Sequence, residues 1–330
     1  MPYVVVLITG EETHQLKAAW RWMLGIGCIF PLAVFIMRIF MNDPKEFQRE
    51  SMSHVKIPYL LVIKYYWVRL AAVMVVWFLY DFSAYAFGIY SSTILEIVLP
   101  TNASYAQTFG WNTVVNLFYI PGAMLGGPAS DFLGAKYTLI IGVTLQAIIG
   151  FIMAGCISSL QDKVAAFAVV YGIFLSFGEF GPGDNIGLLA SKSCATGVRG
   201  QYYGIAAAFG KVGAFVGTYA FPSIQAAGGP AGSNGYLQAP FWVASSLALV
   251  AAAVTFFFIP NVGQDTITYE DIQFREYLES NGWDTSKMGI FRNVESGSME
   301  ASPTRKSEMG NSGTKLQQSF KRRANLEKTS

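Results

Sequence analysis

Four ionisable side chains sit where water is scarce. Asp81, Glu179, Asp184 and Lys211 each lie well inside an apolar run of bilayer-spanning length. Trp77 precedes Asp81 by four residues and Tyr85 follows it by four. A step of four on an α-helix drifts by only about 40°, so an aromatic ring, a carboxyl and a phenol share one narrow face. Lys211 is the ninth residue of the 19-residue run Tyr203–Phe221, too deep to reach the surface by extending its side chain. It must pair with an acid, bind an anion or lose its proton. Three charged acids and one charged base would sum to −2 in low dielectric, so at least one acid takes a proton in some state. Such a group can couple proton binding to anion binding. A static lysine–acid bridge tying two helices together is the other reading of the same residues.

Two further stretches carry special residue types. Phe180-Gly181-Pro182-Gly183-Asp184-Asn185 interrupts an apolar run near its centre. Gly and Pro there predict a broken helix, and irregular backbone at membrane depth is tolerated where it lines a cavity. The flanking acids Glu179 and Asp184 point to a site rather than a simple kink. Gly127, Asp131, Gly134 and Lys136 fall in a tight turn between two apolar runs. The glycines allow close helix approach there, and Asp131 can cap a helix or pair with a base. Gly210, Gly213 and Gly217 form a small face for helix packing beside Lys211.

The elements that must position these residues are membrane helices. Only 13% of the 330 residues are charged and 52% are hydrophobic, and most of the charge lies in the loops and in the stretch after Pro260. Seven full spans are expected: Trp20–Phe40, Val68–Ile89, Trp111–Leu125, Thr138–Ile157, Ala166–Leu189, Tyr203–Phe221 and Ala239–Ile259. Pro2–Thr9 is apolar but too short to span, and reads as the tail of a helix. Met1–Gly10 lacks the basic start of a cleavable signal peptide. Loops 41–66, 126–137 and 190–201 hold seven Lys and Arg, whereas the alternate loops hold two, Lys17 and Lys163. By the positive-inside rule the first set is cytoplasmic. Asn102, in the one glycosylation sequon Asn102-Ala103-Ser104, then faces outward, and the tail is cytoplasmic.

The expected organisation is an all-α membrane protein in four parts. Residues 1–40 end one helix bundle, 41–66 form a central cytoplasmic loop, 67–260 form a six-helix bundle and 261–330 a cytoplasmic tail. Within the tail, Thr266–Trp283 is expected as an amphipathic helix. Disorder is expected from Asn293, with a basic cluster at Lys321, Arg322 and Arg323. No soluble catalytic constellation is legible. His14 and His54 lack partners at metal-ligand spacing, the three cysteines have no metal or disulfide spacing, and no phosphate-binding glycine loop is present. The reading is therefore no enzyme, no metal, no cofactor and no nucleic acid.

At this point the chain resembles the major facilitator superfamily. Gly127…Asp131…Gly134…Lys136 is similar to its gating-loop motif G-x-x-x-D-x-x-G-x-[RK], in the C-terminal-half copy. Trp77, Asp81 and Tyr85 match the W-x-x-x-D-x-x-x-Y pattern of the fungal phosphate:proton symporter family. Phe180-Gly181-Pro182 and Gly210-Lys211-Val212-Gly213 match two more of its patterns. The family places Asn after Gly-Pro. Gly183, with Asp184-Asn185, departs from it and resembles the glycerophosphodiester (glycerophosphoinositol) permease branch, as does the run Val198–Lys211.

The resemblance implies proton-coupled transport of a small organophosphate anion, such as glycerophosphoinositol, across the plasma membrane. It implies that Trp77, Asp81, Tyr85, Gly183, Asp184 and Lys211 bind substrate and that Asp81 and Glu179 carry proton coupling. Gly183 would leave room for a larger ester. It also implies twelve helices in two halves, of which this chain carries the end of the fifth, the sixth and the C-terminal half. A chain so shortened is expected not to transport by itself. An inorganic phosphate symporter and a non-transporting membrane protein are the alternatives.

Overall fold

A computed structural model describes residues 2–9, 13–41, 47, 50–53, 55–100, 102–263 and 266–289. The tail expected to be disordered and its basic cluster lie outside the described residues. Among the described residues, eleven α-helices of eight residues or more carry the fold. They are α1 (Pro2–Thr9), α2 (Thr13–Ile39), α3 (Tyr59–Val98), α4 (Tyr105–Leu117), α5 (Tyr119–Leu133), α6 (Ala135–Gly155), α7 (Val164–Gly178), α8 (Asp184–Lys192), α9 (Arg199–Gly228), α10 (Asn234–Phe258) and α11 (Thr266–Ser280). Six helical stretches are long and apolar enough to cross a membrane, with α7 and α8 counted as one path.

The expected span Trp111–Leu125 is divided instead between α4 and α5. Pro121 cannot donate to the carbonyl four residues earlier, so the ladder is interrupted at Phe118. Phe118 keeps φ −68° and ψ −15°, so the path stays close to helical. The opposite correction applies at Glu179–Gly183. The helix does not break there; it widens into one π-helical turn joining α7 to α8. Pro182 supplies no N–H to the turn before it, and downstream Asn185 Nδ2 donates to the carbonyls of Phe180 (3.1 Å) and Gly181 (2.9 Å).

The strip-bearing helix α3 is longer than its apolar core. It runs 40 residues, about 60 Å at 1.5 Å per residue, so both ends leave a hydrocarbon layer about 30 Å thick. The loop after it is short. Ser104 caps α4 by accepting from Gln107 N, while the Gln107 side chain accepts from Ser104 N, both at 3.2 Å. The sequon at Asn102 thus sits two residues before a closed capping box.

Helices α3 and α9 run side by side in the same direction, joined through glycine. Gly210 lies against the Trp77 ring, Gly213 against the backbone of Phe78 and Gly217 against that of Phe82. A methyl group at 213 or 217 would enter the facing backbone, so the two helices approach as closely as helices can. Two apolar clusters fill the rest of the bundle. One gathers Phe87, Tyr171, Phe174, Phe221 and Phe241; the other gathers Val73, Val76, Leu139 and Leu189.

The expected amphipathic helix is α11, and it is docked rather than loose. Phe274 and Leu278 bury against Met52, Tyr66, Cys194, Val198 and Tyr202. Its acids complete a polar cluster at the N-terminal end of α3. Glu270 accepts from Tyr66 (3.0 Å) and Arg69 (2.9 Å), and Tyr66 in turn accepts from Ala195 N (3.1 Å). Asp271 accepts from Thr196 N (2.6 Å) and Thr196 Oγ1 (2.8 Å), and Arg275 pairs with Glu50 at 2.6 Å. Central loop, tail helix and the α8–α9 connection are therefore one packed unit.

Candidate functional site

The close α3–α9 approach sets the site. Gly210 and Gly213 flank Lys211, so seating the glycines on α3 fixes where the lysine leaves the helix. Its Nζ lies 3.2 Å from Asp81 Oδ2 and donates to Tyr85 Oη as well. The ammonium also sits 4.2 Å from the Tyr85 ring centroid. One base is thus held by an acid and a phenol that stand one turn apart on α3. Trp77, one turn below Asp81, packs on Gly210 and meets Tyr203 edge-on at 5.3 Å. The three residues share the face of α3 turned to α9, with Trp77 and Asp81 buried and Tyr85 exposed.

The two partners differ in burial. Asp81 is buried, with 4% of its side chain exposed, whereas 58% of the Lys211 side chain is open. Tyr85 is 42% exposed. An ammonium has three donors, and here two are used. The third faces the open side of the helix pair. A charged donor left open at membrane depth is suited to an anion, and a buried carboxylate beneath it can exchange a proton as that anion comes and goes.

The structure separates the two acids of the π-turn. Asp184 turns towards α5, its Oδ2 buried against Gly126 without a hydrogen-bond partner among the described residues. Glu179 folds back over Gly183. Its carboxylate comes within 2.7 Å of the position a Cβ would occupy there. The space that Gly183 leaves is therefore taken up by Glu179 rather than standing empty. Gly183 is exposed, so this carboxylate borders an open surface, while Asp184, half-buried like Glu179, has its Oδ2 buried.

The gating-loop residues lie apart from this surface. Gly134 adopts φ +84°, a left-handed conformation that favours glycine, and ends α5. Lys136 Nζ donates to Phe256 O at 2.9 Å and so ties α6 to α10. Asp131 is exposed in the last turn of α5 and neither caps a helix nor forms an ion pair among the described residues. That corrects the expectation of a cap or a basic partner: a C-terminal turn offers an acid no free N–H.

Tyr203 was missed in the sequence reading. It starts the run Tyr203–Phe221 and looks like an ordinary interfacial aromatic. Its seat between Trp77 and Gly187 depends on three helices meeting, which no local spacing reveals. The available signal was the eight-residue step to Lys211, which mirrors the step from Trp77 to Tyr85 on the partner helix.

The sugar (and other) transporter family matches residues 45–272. The chain is 50% identical over 293 residues to the glycerophosphodiester transporter GIT2 of Candida albicans, covering 88% of this chain and 54% of that protein. It is 51% identical over 288 residues to the glycerophosphocholine permease GIT4 of the same organism, covering 86% and 54%. Similarity is weaker, 27% over 262 residues, to the inorganic phosphate transporter PT2 of Toxoplasma gondii, covering 79% and 45%. The chain spans about half the length of the curated relatives it matches.

Proposed function

This chain belongs to the sugar (and other) transporter family, and from that membership we propose that it supplies one wall of a proton-coupled glycerophosphodiester transport site. It is an integral membrane protein, not an enzyme. The observation that carries the reading is the Lys211 ammonium, open at membrane depth and held by Asp81 and Tyr85. A phosphodiester carries one negative charge, which the free donor of Lys211 receives. Its arrival brings negative charge next to Asp81 and favours protonation of that acid. Anion and proton then bind better together than apart, which is the linkage symport requires.

The open flank of Lys211 also explains how the chain would work. A transporter site lies between two repeats at the bilayer midplane, and this chain presents one of them. Residues 1–330 alone are expected not to restore glycerophosphodiester uptake in a permease-deficient cell. Co-expression with the portion of a relative that this chain does not cover is expected to restore it. In that assembly Asp81→Asn, which mimics the protonated acid, keeps substrate binding and loses uphill uptake. Accumulation against the gradient by Asp81→Asn, with unchanged pH dependence, would refute the reading. The expected setting is the plasma membrane, with the tail and α11 on the cytoplasmic side and Asn102 outside.

A further inference from the structure

Beyond the buried Trp77, a second partly exposed aromatic stands on α9. Tyr203 is 39% exposed, stands edge-on to Trp77, and brings its hydroxyl within 3.2 Å of where a Cβ would sit on Gly187. One turn earlier on the same helix, the Glu179 carboxylate covers Gly183. Cβ positions one turn apart are about 5–6 Å from each other. A carboxylate acceptor and a phenol therefore stand over consecutive turns of one helix face, with glycine beneath both. A ligand hydroxyl can donate to Glu179 and accept from Tyr203, and two neighbouring hydroxyls can take one partner each. A larger residue at 183 or 187 would press on one of these two groups.

The distance from the ammonium sets the size of the ligand. Tyr203 and Lys211 are eight residues apart on α9, about 12 Å along the axis. Inorganic phosphate cannot touch both ends. A phosphodiester is the longer ligand, with its phosphate at Lys211 and its alcohol part directed towards Tyr203.

We propose that Tyr203 and Glu179, set over Gly187 and Gly183, form a subsite for a vicinal diol carried by the alcohol part of the phosphodiester. This rests on the reading of Lys211 as the phosphate donor and adds the group that selects diesters over phosphate. It gives Glu179 a role in recognition, distinct from the proton coupling expected of it.

The test is ligand-observed NMR on the full 330-residue chain in lipid nanodiscs, which reads weak binding to a single wall. The probes are dimethyl phosphate, which has no diol; glycerophosphocholine, whose diol is on the glycerol; and glycerophosphoinositol, which has diols at both ends. Tyr203→Phe and Glu179→Gln are each expected to weaken the diol-bearing probes about five-fold or more, the value of a lost hydrogen bond to an ionised or phenolic partner. Dimethyl phosphate is expected to stay within about two-fold, since the variants remove no phosphate contact. An effect on both glycerophosphodiesters assigns the glycerol diol, and an effect on glycerophosphoinositol alone assigns the polyol; either supports the subsite. Unchanged affinity for all three probes in both variants overturns it, as does an equal loss for dimethyl phosphate. Lys211→Ala separates the two levels. If it leaves dimethyl phosphate binding unchanged, the phosphate reading itself fails, and so it does if the unaltered chain binds none of the probes.

Discussion

Two places in this molecule bring acids and bases together, and they are built differently. At the N-terminal end of α3, Glu270 meets Tyr66 and Arg69, Asp271 meets Thr196, and Glu50 meets Arg275, with Phe274 and Leu278 closing the cluster. In the middle of α3, Lys211 meets Asp81 and Tyr85, and the lysine remains 58% exposed. The first arrangement satisfies its polar groups from within the chain, and the bases there are mostly covered. The second keeps a charged donor free where no water is expected. Burying a charge is tolerated when its partners are present, and a donor left open is suited to a ligand.

Substitutions can break this contrast, and the largest effect is expected at the open pair. In a complete transport site, Lys211→Ala is expected to lose about a hundred-fold or more in phosphodiester affinity, the scale of a charged contact to an anion. Asp81→Asn leaves affinity close to its original value. Substrate binding measured beside surface expression checks both, and an equal loss of folded protein in the two variants would make the pair merely structural.

The packed cluster is expected to respond in the opposite sense. Glu270→Ala strands Tyr66 and Arg69 and is expected to cost about 3 kcal/mol of stability while leaving ligand affinity unchanged. Thermal unfolding in detergent, read alongside NMR titration with dimethyl phosphate, distinguishes the outcomes. A change in affinity would couple the two regions, and the contrast drawn above would fall.

Between the two in character is the helix contact that carries the lysine. Gly217→Ala places a methyl group into the backbone of Phe82. Such overpacking is expected to cost about 1–3 kcal/mol and to move Lys211 relative to Asp81. Affinity and stability should therefore fall together, unlike in either region alone.

The smallest expected effect is a pH dependence confined to the packed cluster. Burial raises the Asp271 carboxyl above its ordinary 3.8, against the opposing hydrogen bonds from Thr196. The folded state therefore holds this proton more tightly than the unfolded chain does. The resulting stability is fully present below the ordinary value and is lost as pH rises through the raised one. Asp271→Asn is expected to flatten that part of the stability–pH profile. A profile unchanged by the substitution would place the dependence elsewhere.

Much of this site was written in local order. Asp81 stands between Trp77 and Tyr85 at helical spacing, and any helix there must present the three together. Lys211 lies too deep in an apolar run to remain without a partner, so a pairing was required before any contact was seen. The helical character of the chain followed in the same way, because hydrocarbon forces each backbone N–H and C=O to find its partner within the segment. These conclusions depend on neighbours in sequence and on the solvent, and the amino-acid order by itself determined them.

Other features belong to the tertiary structure alone. Phe180–Asn185 had the composition of a break, yet the chain stays helical through a π-turn, with the Asn185 side chain adding a donor at the carbonyls of Phe180 and Gly181. Glu179 and Asp184 flank the same turn, yet one covers an exposed glycine and the other turns to Gly126, since the wider π-turn changes the angle between them. Tyr203 becomes part of the surface because α3, α8 and α9 converge on it, and α11 is pinned because Glu270 meets donors about 200 residues away in the chain. Each is a choice among partners of similar chemistry. Sequence spacing names the candidates within a helix, and close packing of separate helices selects which of them meet.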